Sequence, residues 1–273
     1  MKQVQQDALS LFNNHLKFDK SKLTDSHCHI LDDMYNQTQE ELLDEWFDNG
    51  GGHIFLIGVD VQTSKSMVEQ AQKNDKAHAI VGIHPEYANQ ITQKDIDEIE
   101  ALAPYACAIG EIGLDFYYGK EYEKKQMQLF REQLKIASKY NKPVCIHTRE
   151  ATQKTIDELK NFPQVKGVVH CYGGSKEIAK ELVKMGYLIG VGGIVTFKNN
   201  RQLVESILEV GIDNIVLETD SPYLSPEPFR GEVNKPHKVF FVAKKVADLL
   251  NLTVDEVLQK CEENTLKIYK IQN

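Results

Sequence analysis

The feature that most constrains this chain is an alternation. Short runs rich in β-branched residues recur eight times, at 23–30, 53–59, 79–83, 106–112, 143–147, 167–171, 187–191 and 214–218. Longer segments with apolar residues at helical spacing separate them. In the segment 121–140, Tyr122, Met127, Phe130, Leu134 and Ala137 recur three to five residues apart; in 175–185, Ser175 reads as an N-cap before Ile178, Leu182 and Met185. Strands alternating with helices predict a parallel sheet rather than a sandwich. Gly113, Gly173, Gly174, Gly192 and Gly193 follow strands and suit tight turns into helices. Eight strands with polar residues gathered where they end favour closure into a TIM-type (β/α)8 barrel over a doubly wound open sheet. The 273 residues also suit one such barrel, which takes roughly 250. The expected organisation is one barrel domain over 23–273, preceded by an extension over 1–22. Leu9, Phe12 and Leu16 make that extension an amphipathic helix packed on the barrel.

Composition narrows the setting. No apolar run reaches the ~20 residues that span a bilayer, and the N-terminus lacks the apolar core and cleavage site of a secretory signal. Five cysteines, Cys28, Cys107, Cys145, Cys171 and Cys261, form no CxxC pair, and four fall in the apolar runs read as strands. Reduced, buried thiols in a cytoplasmic protein explain them better than a disulfide framework. A net charge of −8 argues against a broad basic groove for long nucleic acid. It leaves nucleic acid open as a substrate, because bound divalent cations supply positive charge locally.

The ionisable residues fall in one place. His27 and His29 end the first run, two apart, and side chains two apart on a strand share a face. Glu111 ends the fourth run, His147 the fifth and His170 the sixth, while Asp220 follows the eighth. That is the C-terminal mouth, where such barrels carry their active sites. Any one of these residues, taken alone, is more simply a hydrogen-bonded structural group. Four imidazoles and two carboxylates at the same end of different strands are not a scatter; His53 and His78 sit where strands begin, and His15 and His237 lie outside the pattern. The set exceeds what one ion needs and fits two sharing a carboxylate, about 3.5–4 Å apart. Imidazole-rich ligands favour Zn²⁺, Mn²⁺, Co²⁺, Ni²⁺ or Fe²⁺, with Mg²⁺ possible at a weaker site. Four further residues are candidates to face substrate: His84 after the third run, Arg149 beside His147, Arg230 in the loop after the eighth run, and Tyr223. For each the ordinary alternative is structural: a loop tether, an ion pair with Glu150, a solvated charge and a packed ring.

Six stretches carry a resemblance: Asp25-Ser26-His27-Cys28-His29, Gly82-Ile83-His84-Pro85, Gly110-Glu111-Ile112-Gly113-Leu114-Asp115, Ile146-His147-Thr148-Arg149-Glu150, His170-Cys171-Tyr172-Gly173-Gly174 and Glu218-Thr219-Asp220-Ser221-Pro222-Tyr223-Leu224. In type and order they resemble the successive signatures of TatD-family deoxyribonucleases, which belong to the amidohydrolase-like metal-dependent barrels. The resemblance spans nearly the whole chain. Two features depart from it: residues 1–22 precede the usual start, and Tyr172-Gly173 stands where the family commonly has Phe-Ser or Phe-Thr. The resemblance implies that His27 and His29 hold one ion with Asp220, that Glu111 bridges, and that His147 and His170 hold the second. It implies divalent-cation-dependent hydrolysis of DNA, typically exonucleolytic from the 3′ end, while the net charge of −8 leans toward small or single-stranded substrates. Asp220 is then the best-placed general base, and Glu111 the second catalytic carboxylate. A hydrolase of the same scaffold acting on a small phosphoester, lactone or amide is the alternative expectation.

Overall fold

The structure is a computed structural model that describes residues 2–16, 23–30 and 33–272. All eight expected strands are present: β1 (Leu23–Cys28), β2 (Gly51–Ile57), β3 (Ala77–Val81), β4 (Ala108–Asp115), β5 (Val144–Arg149), β6 (Gly167–Val169), β7 (Leu188–Val191) and β8 (Ile215–Leu217). They form one sheet in chain order, from β1 through β8. A doubly wound sheet would reverse its strand order part-way; this one does not. A parallel bridge between Cys28 and Ser221 joins the first strand to the segment after the last. The fold is a TIM-type (β/α)8 barrel.

Helices α2 (Gln39–Asp48), α3 (Val61–Ala71), α4 (Gln93–Leu102), α5 (Glu123–Lys139), α6 (Thr152–Leu159), α7 (Lys176–Lys184), α8 (Arg201–Val210), α9 (Val239–Leu250) and α10 (Val254–Ile268) lie between and after the strands. Their starts follow local chemistry. Thr38 before α2 and Asp60 before α3 each accept the backbone N–H three residues on, while that residue's side chain returns the bond. Each cap is worth about 1 kcal/mol. Strands β1 and β4 are buried on both faces, as parallel strands wrapped by helices must be.

Contacts divide the chain into two compact units. Unit 1 comprises Met1–Phe55, Cys171–Lys180 and Gly190–Thr265; unit 2 comprises Leu56–His170, Glu181–Ile189 and Leu266–Asn273. In unit 1, helix α1 (Lys2–Leu16) buries Phe12 against His237, Phe240 and Phe241, with ring centroids 5.5, 5.4 and 6.2 Å away. Residues 17–22 of the expected extension, and the side chains of His15 and Leu16, lie outside the described residues. In unit 2, β4 and β5 pair with Gly113 opposite His147. A Cβ at Gly113 would stand 1.9 Å from the His147 carbonyl oxygen, so only glycine admits this register.

Several local readings are corrected. Gly113 is inside β4, not in a turn. Helix α5 buries Gln126, Leu129, Phe130, Gln133, Leu134, Ile136 and Ala137, whereas Tyr122 precedes it and is exposed and Met127 is only partly covered. Gln133 is buried because its side-chain amide receives the Ile83 N–H and donates to the Ile83 carbonyl, a pairing invisible to an apolar-stripe reading. Cys107 and Cys171 sit just outside β4 and β6. Burial pushes the Cys107 thiol up to about 12 and raises Cys28 and Cys261 as well, which makes them inert packing groups.

Candidate metal sites

Unit 1 gathers His27, His29 and Asp220. His27 belongs to β1, where alternation aims it the same way as His29, and the two Nε2 atoms stand 3.1 Å apart. Asp220 Oδ1 lies 3.6 Å from His27 Nε2 and 3.5 Å from His29 Nε2. Asp220 has φ of 54°, a left-handed conformation that costs a non-glycine residue about 1–2 kcal/mol. Two backbone bonds hold it there: its N–H donates to the His27 carbonyl at 3.0 Å, and its carbonyl accepts from Tyr223 at 2.9 Å.

Asp25 and Asn234 brace this arrangement, and Glu218 lies beside it in sequence. Asp25, fully buried, accepts the His27 N–H at 3.2 Å, the Thr219 N–H at 2.9 Å and the Thr219 hydroxyl at 2.5 Å. Burial pushes its carboxyl up to about 7, against the pull of those donors. Glu218, also fully buried, accepts the Cys171 N–H at 2.5 Å. Buried Asn234 donates to the Thr219 and Tyr223 carbonyls at 2.9 and 2.7 Å, tying down the loop that carries Asp220. Period two is the signal that finds Asp25, two before His27 on β1; Glu218 lies beyond the end of β8, where strand alternation gives no such signal.

Unit 2 gathers Glu111, His147 and His170. Glu111 sits in β4 where the register with β5 shifts between Ile109 and Ile112, a bulge of the kind that re-aims side chains beside active sites. Its Oε1 lies 2.8 Å from His147 Nδ1 and 2.7 Å from His170 Nε2, and those two nitrogens are 3.3 Å apart. His147 Nε2 meets Asp115 Oδ2 at 3.0 Å. Burial works against protonation of His147, but its bonds to Asp115 and Glu111 prevail and hold its pKa above the ordinary value. Asp115 is lowered despite desolvation, by His147 and by the Tyr117 N–H. Asp115 lies four residues after Glu111 in the same strand, β4, and its role depends on His147 from the next strand.

The remaining candidates are placed as follows. His84 Nδ1 accepts the Glu86 N–H at 3.3 Å, capping the turn Pro85–Tyr87, and its Nε2 faces Glu111 Oε1 at 3.7 Å. It therefore tethers its loop and reaches the triad. Burial pushes its pKa down to about 3, which keeps it neutral with the proton on Nε2. Arg149 stacks on Tyr117, its guanidinium carbon 3.5 Å from the ring centroid. Arg230 stacks on Phe197 at 4.3 Å. Tyr223 is 45% exposed and meets the His29 ring edge-on at 6.1 Å.

The donor sets suit metal ions. Ligand atoms bound at about 2.0–2.1 Å around a tetrahedral ion stand about 3.3 Å apart. The unit 1 set spans 3.1–3.6 Å and the unit 2 set 2.7–3.3 Å. Nitrogen and oxygen donors facing one another so closely are the arrangement a cation stabilises. His147 would ligate through Nδ1 while its Nε2–H donates to Asp115, the carboxylate–histidine brace usual behind a metal ligand.

The model of the TatD related DNase family matches residues 24–270. The chain belongs to that family. Among its relatives, the metal-dependent hydrolase YabD of Bacillus subtilis is 34% identical over 253 residues, covering 91% of this chain and 99% of YabD. The metal-dependent hydrolase YcfH of Escherichia coli is 33% identical over 257 residues, covering 91% and 96%. The crystal structure of YjjV, a TatD homologue from Escherichia coli, superposes with a TM-score of 0.86 at 27% identity over 93% of this chain and all of YjjV. This TatD-family chain is thus a metal-dependent hydrolase, and the family match begins where α1 has ended. No described helix is long and apolar enough to cross a membrane.

Proposed function

We propose that this TatD-family hydrolase cleaves phosphodiester bonds of DNA, shortening single strands from the 3′ end, with two divalent ions. The observation that carries the reading is the pair of ligand sets, each a cluster of nitrogen and oxygen donors within 3.6 Å of one another. His27, His29 and Asp220 would hold one ion and Glu111, His147 and His170 the other. The family name supports DNA as the substrate. Bound there, such ions lower the pKa of a water, polarise the scissile bond and offset the phosphate charge in a chain of net charge −8. Four imidazoles support a transition metal such as Zn²⁺, Mn²⁺, Co²⁺, Ni²⁺ or Fe²⁺, with Mg²⁺ at a weaker site.

The protein's own part is to bind, orient and move a proton. Asp220 takes the proton of the attacking water and returns it to the leaving oxygen; its fixed left-handed turn keeps the carboxylate aimed throughout. Neutral His84 offers its Nε2–H to a phosphate oxygen. Arg149 and Arg230 supply guanidinium groups to the strand and Tyr223 an exposed ring. The test is a substrate panel of labelled single-stranded DNA, duplex DNA, a nitrophenyl phosphodiester and a lactone, each with and without chelator. Stepwise 3′ shortening that stops on chelation is expected. Turnover of the small phosphoester or lactone alone would transfer the same scaffold to that chemistry and refute DNA as the substrate.

A further inference from the structure

We propose that the loop joining β4 to α5, together with Arg149, is a stacking cradle for the bases of single-stranded DNA. The inference rests on the DNA-hydrolase reading and adds the residues that seat the strand.

At the tip of this loop Tyr118 is 89% exposed and Tyr117 49% exposed, their rings edge to face with centroids 4.8 Å apart. Tyr122, 40% exposed, follows. Cations are interleaved with these rings. Arg149 lies 3.5 Å from the Tyr117 centroid and 5.9 Å from that of Tyr118; Lys120 and Lys154 stand over Phe116 at 5.6 and 5.9 Å, and Lys125 over Tyr122 at 5.9 Å. Glu123 is paired with Lys154, and exposed Glu121 and Glu150 stand against Arg149, Lys120, Lys124 and Lys125, four cations to two acids. A local concentration of cations in a chain of net charge −8 marks a surface for an anion. Solvated aromatic faces beside guanidinium and ammonium groups are the features that hold single strands, because every base presents a π-face whatever the sequence. Duplex DNA hides those faces, so the cradle selects unpaired strands.

The loop is also wired to the unit 2 triad. The Tyr117 N–H donates to Asp115 Oδ1 at 2.9 Å, and the other oxygen of that carboxylate holds His147. The Phe116 N–H donates to the Arg149 carbonyl at 2.9 Å, fixing the loop on the end of β5. Gly119, with φ of 114°, closes the turn that presents both tyrosines by donating to the Phe116 carbonyl at 3.0 Å. A base seated on Tyr117 or Tyr118 is therefore held by a loop whose root braces a metal ligand.

The test measures fluorescence anisotropy of a labelled oligothymidylate with the full-length protein in chelator, and KM and kcat for its shortening with metal. Tyr118→Ala, at a site too exposed to disturb folding, is expected to raise Kd and KM about tenfold, since stacking one base contributes that order of affinity. The loss falls on KM rather than kcat. Tyr118→Phe keeps the ring and restores affinity, whereas Tyr118→Leu does not; Lys120→Ala flattens the salt dependence of binding. Unchanged Kd in Tyr118→Ala, or equal binding of duplex and single strand, overturns the cradle. So does a Tyr118→Ala protein whose oligomeric state changes while strand affinity does not, which would give the patch to a second copy of the chain. If the wild type binds the oligonucleotide through Tyr118 but does not shorten it, the cradle stands and the nuclease reading falls. If it shortens DNA while Tyr118→Ala binds normally, the reverse holds.

Discussion

The two ligand sets use the same chemistry and are braced in opposite ways. In unit 1, both imidazoles come from one stretch of chain and the acid from a left-handed turn. Their brace, Asp25, is fully buried and takes three bonds from backbone and hydroxyl donors, so it fixes the strand ends that carry the ligands. In unit 2, each ligand belongs to or follows its own strand, and the brace, Asp115, bonds a ligand ring directly. The difference teaches that one set is positioned through the main chain and the other through a side chain. Loss of the first brace is felt as loss of fold stability, and loss of the second as loss of metal affinity.

The largest effect separates chemistry from bracing altogether. Asp220→Asn keeps the oxygen donor and removes the base, so kcat is expected to fall by about 10²–10⁴ while elemental analysis still counts the ions. Full activity in that variant, with the metal retained, refutes the base assignment. Next, Asp115→Asn weakens the brace on His147. Metal affinity of the unit 2 set should drop by about 10–100-fold, with the unit 1 set unaffected, as read by dialysis against buffered metal. Equal loss from both sets would erase the distinction drawn above. The smallest effect is Thr219→Val, which withdraws the hydroxyl that Asp25 accepts. It should cost about 1–3 kcal/mol in denaturant unfolding while leaving metal content intact. Metal loss at unchanged stability would reverse the roles of the two braces.

Much of this was legible in the chain itself, because strand alternation and the placement of His27, His29, Glu111, His147, His170 and Asp220 are local facts. What escaped was set by partners far along the sequence. Asp25 matters because of Thr219, 194 residues away, and Asp115 because of His147, 32 residues away. Gln133 is buried because Ile83, 50 residues away, supplies both its bonds. Tyr117 and Tyr118 carry no periodic signal; their exposure goes with the turn that Gly119 closes. Element ends moved by up to three residues because a strand stops where pairing stops, and composition does not record that: β4 runs on to Asp115 because Leu114 and Asp115 still face Thr148 and Arg149.

The most direct measurement is the number of divalent ions per chain, by elemental analysis of the purified protein and of His27→Ala and His147→Ala. Two ions in the wild type and one in each variant, each removed from a different set, is the predicted result. A wild type that holds no tightly bound ion and gains no activity from added ones, or one whose single ion is lost only in His147→Ala, would contradict it.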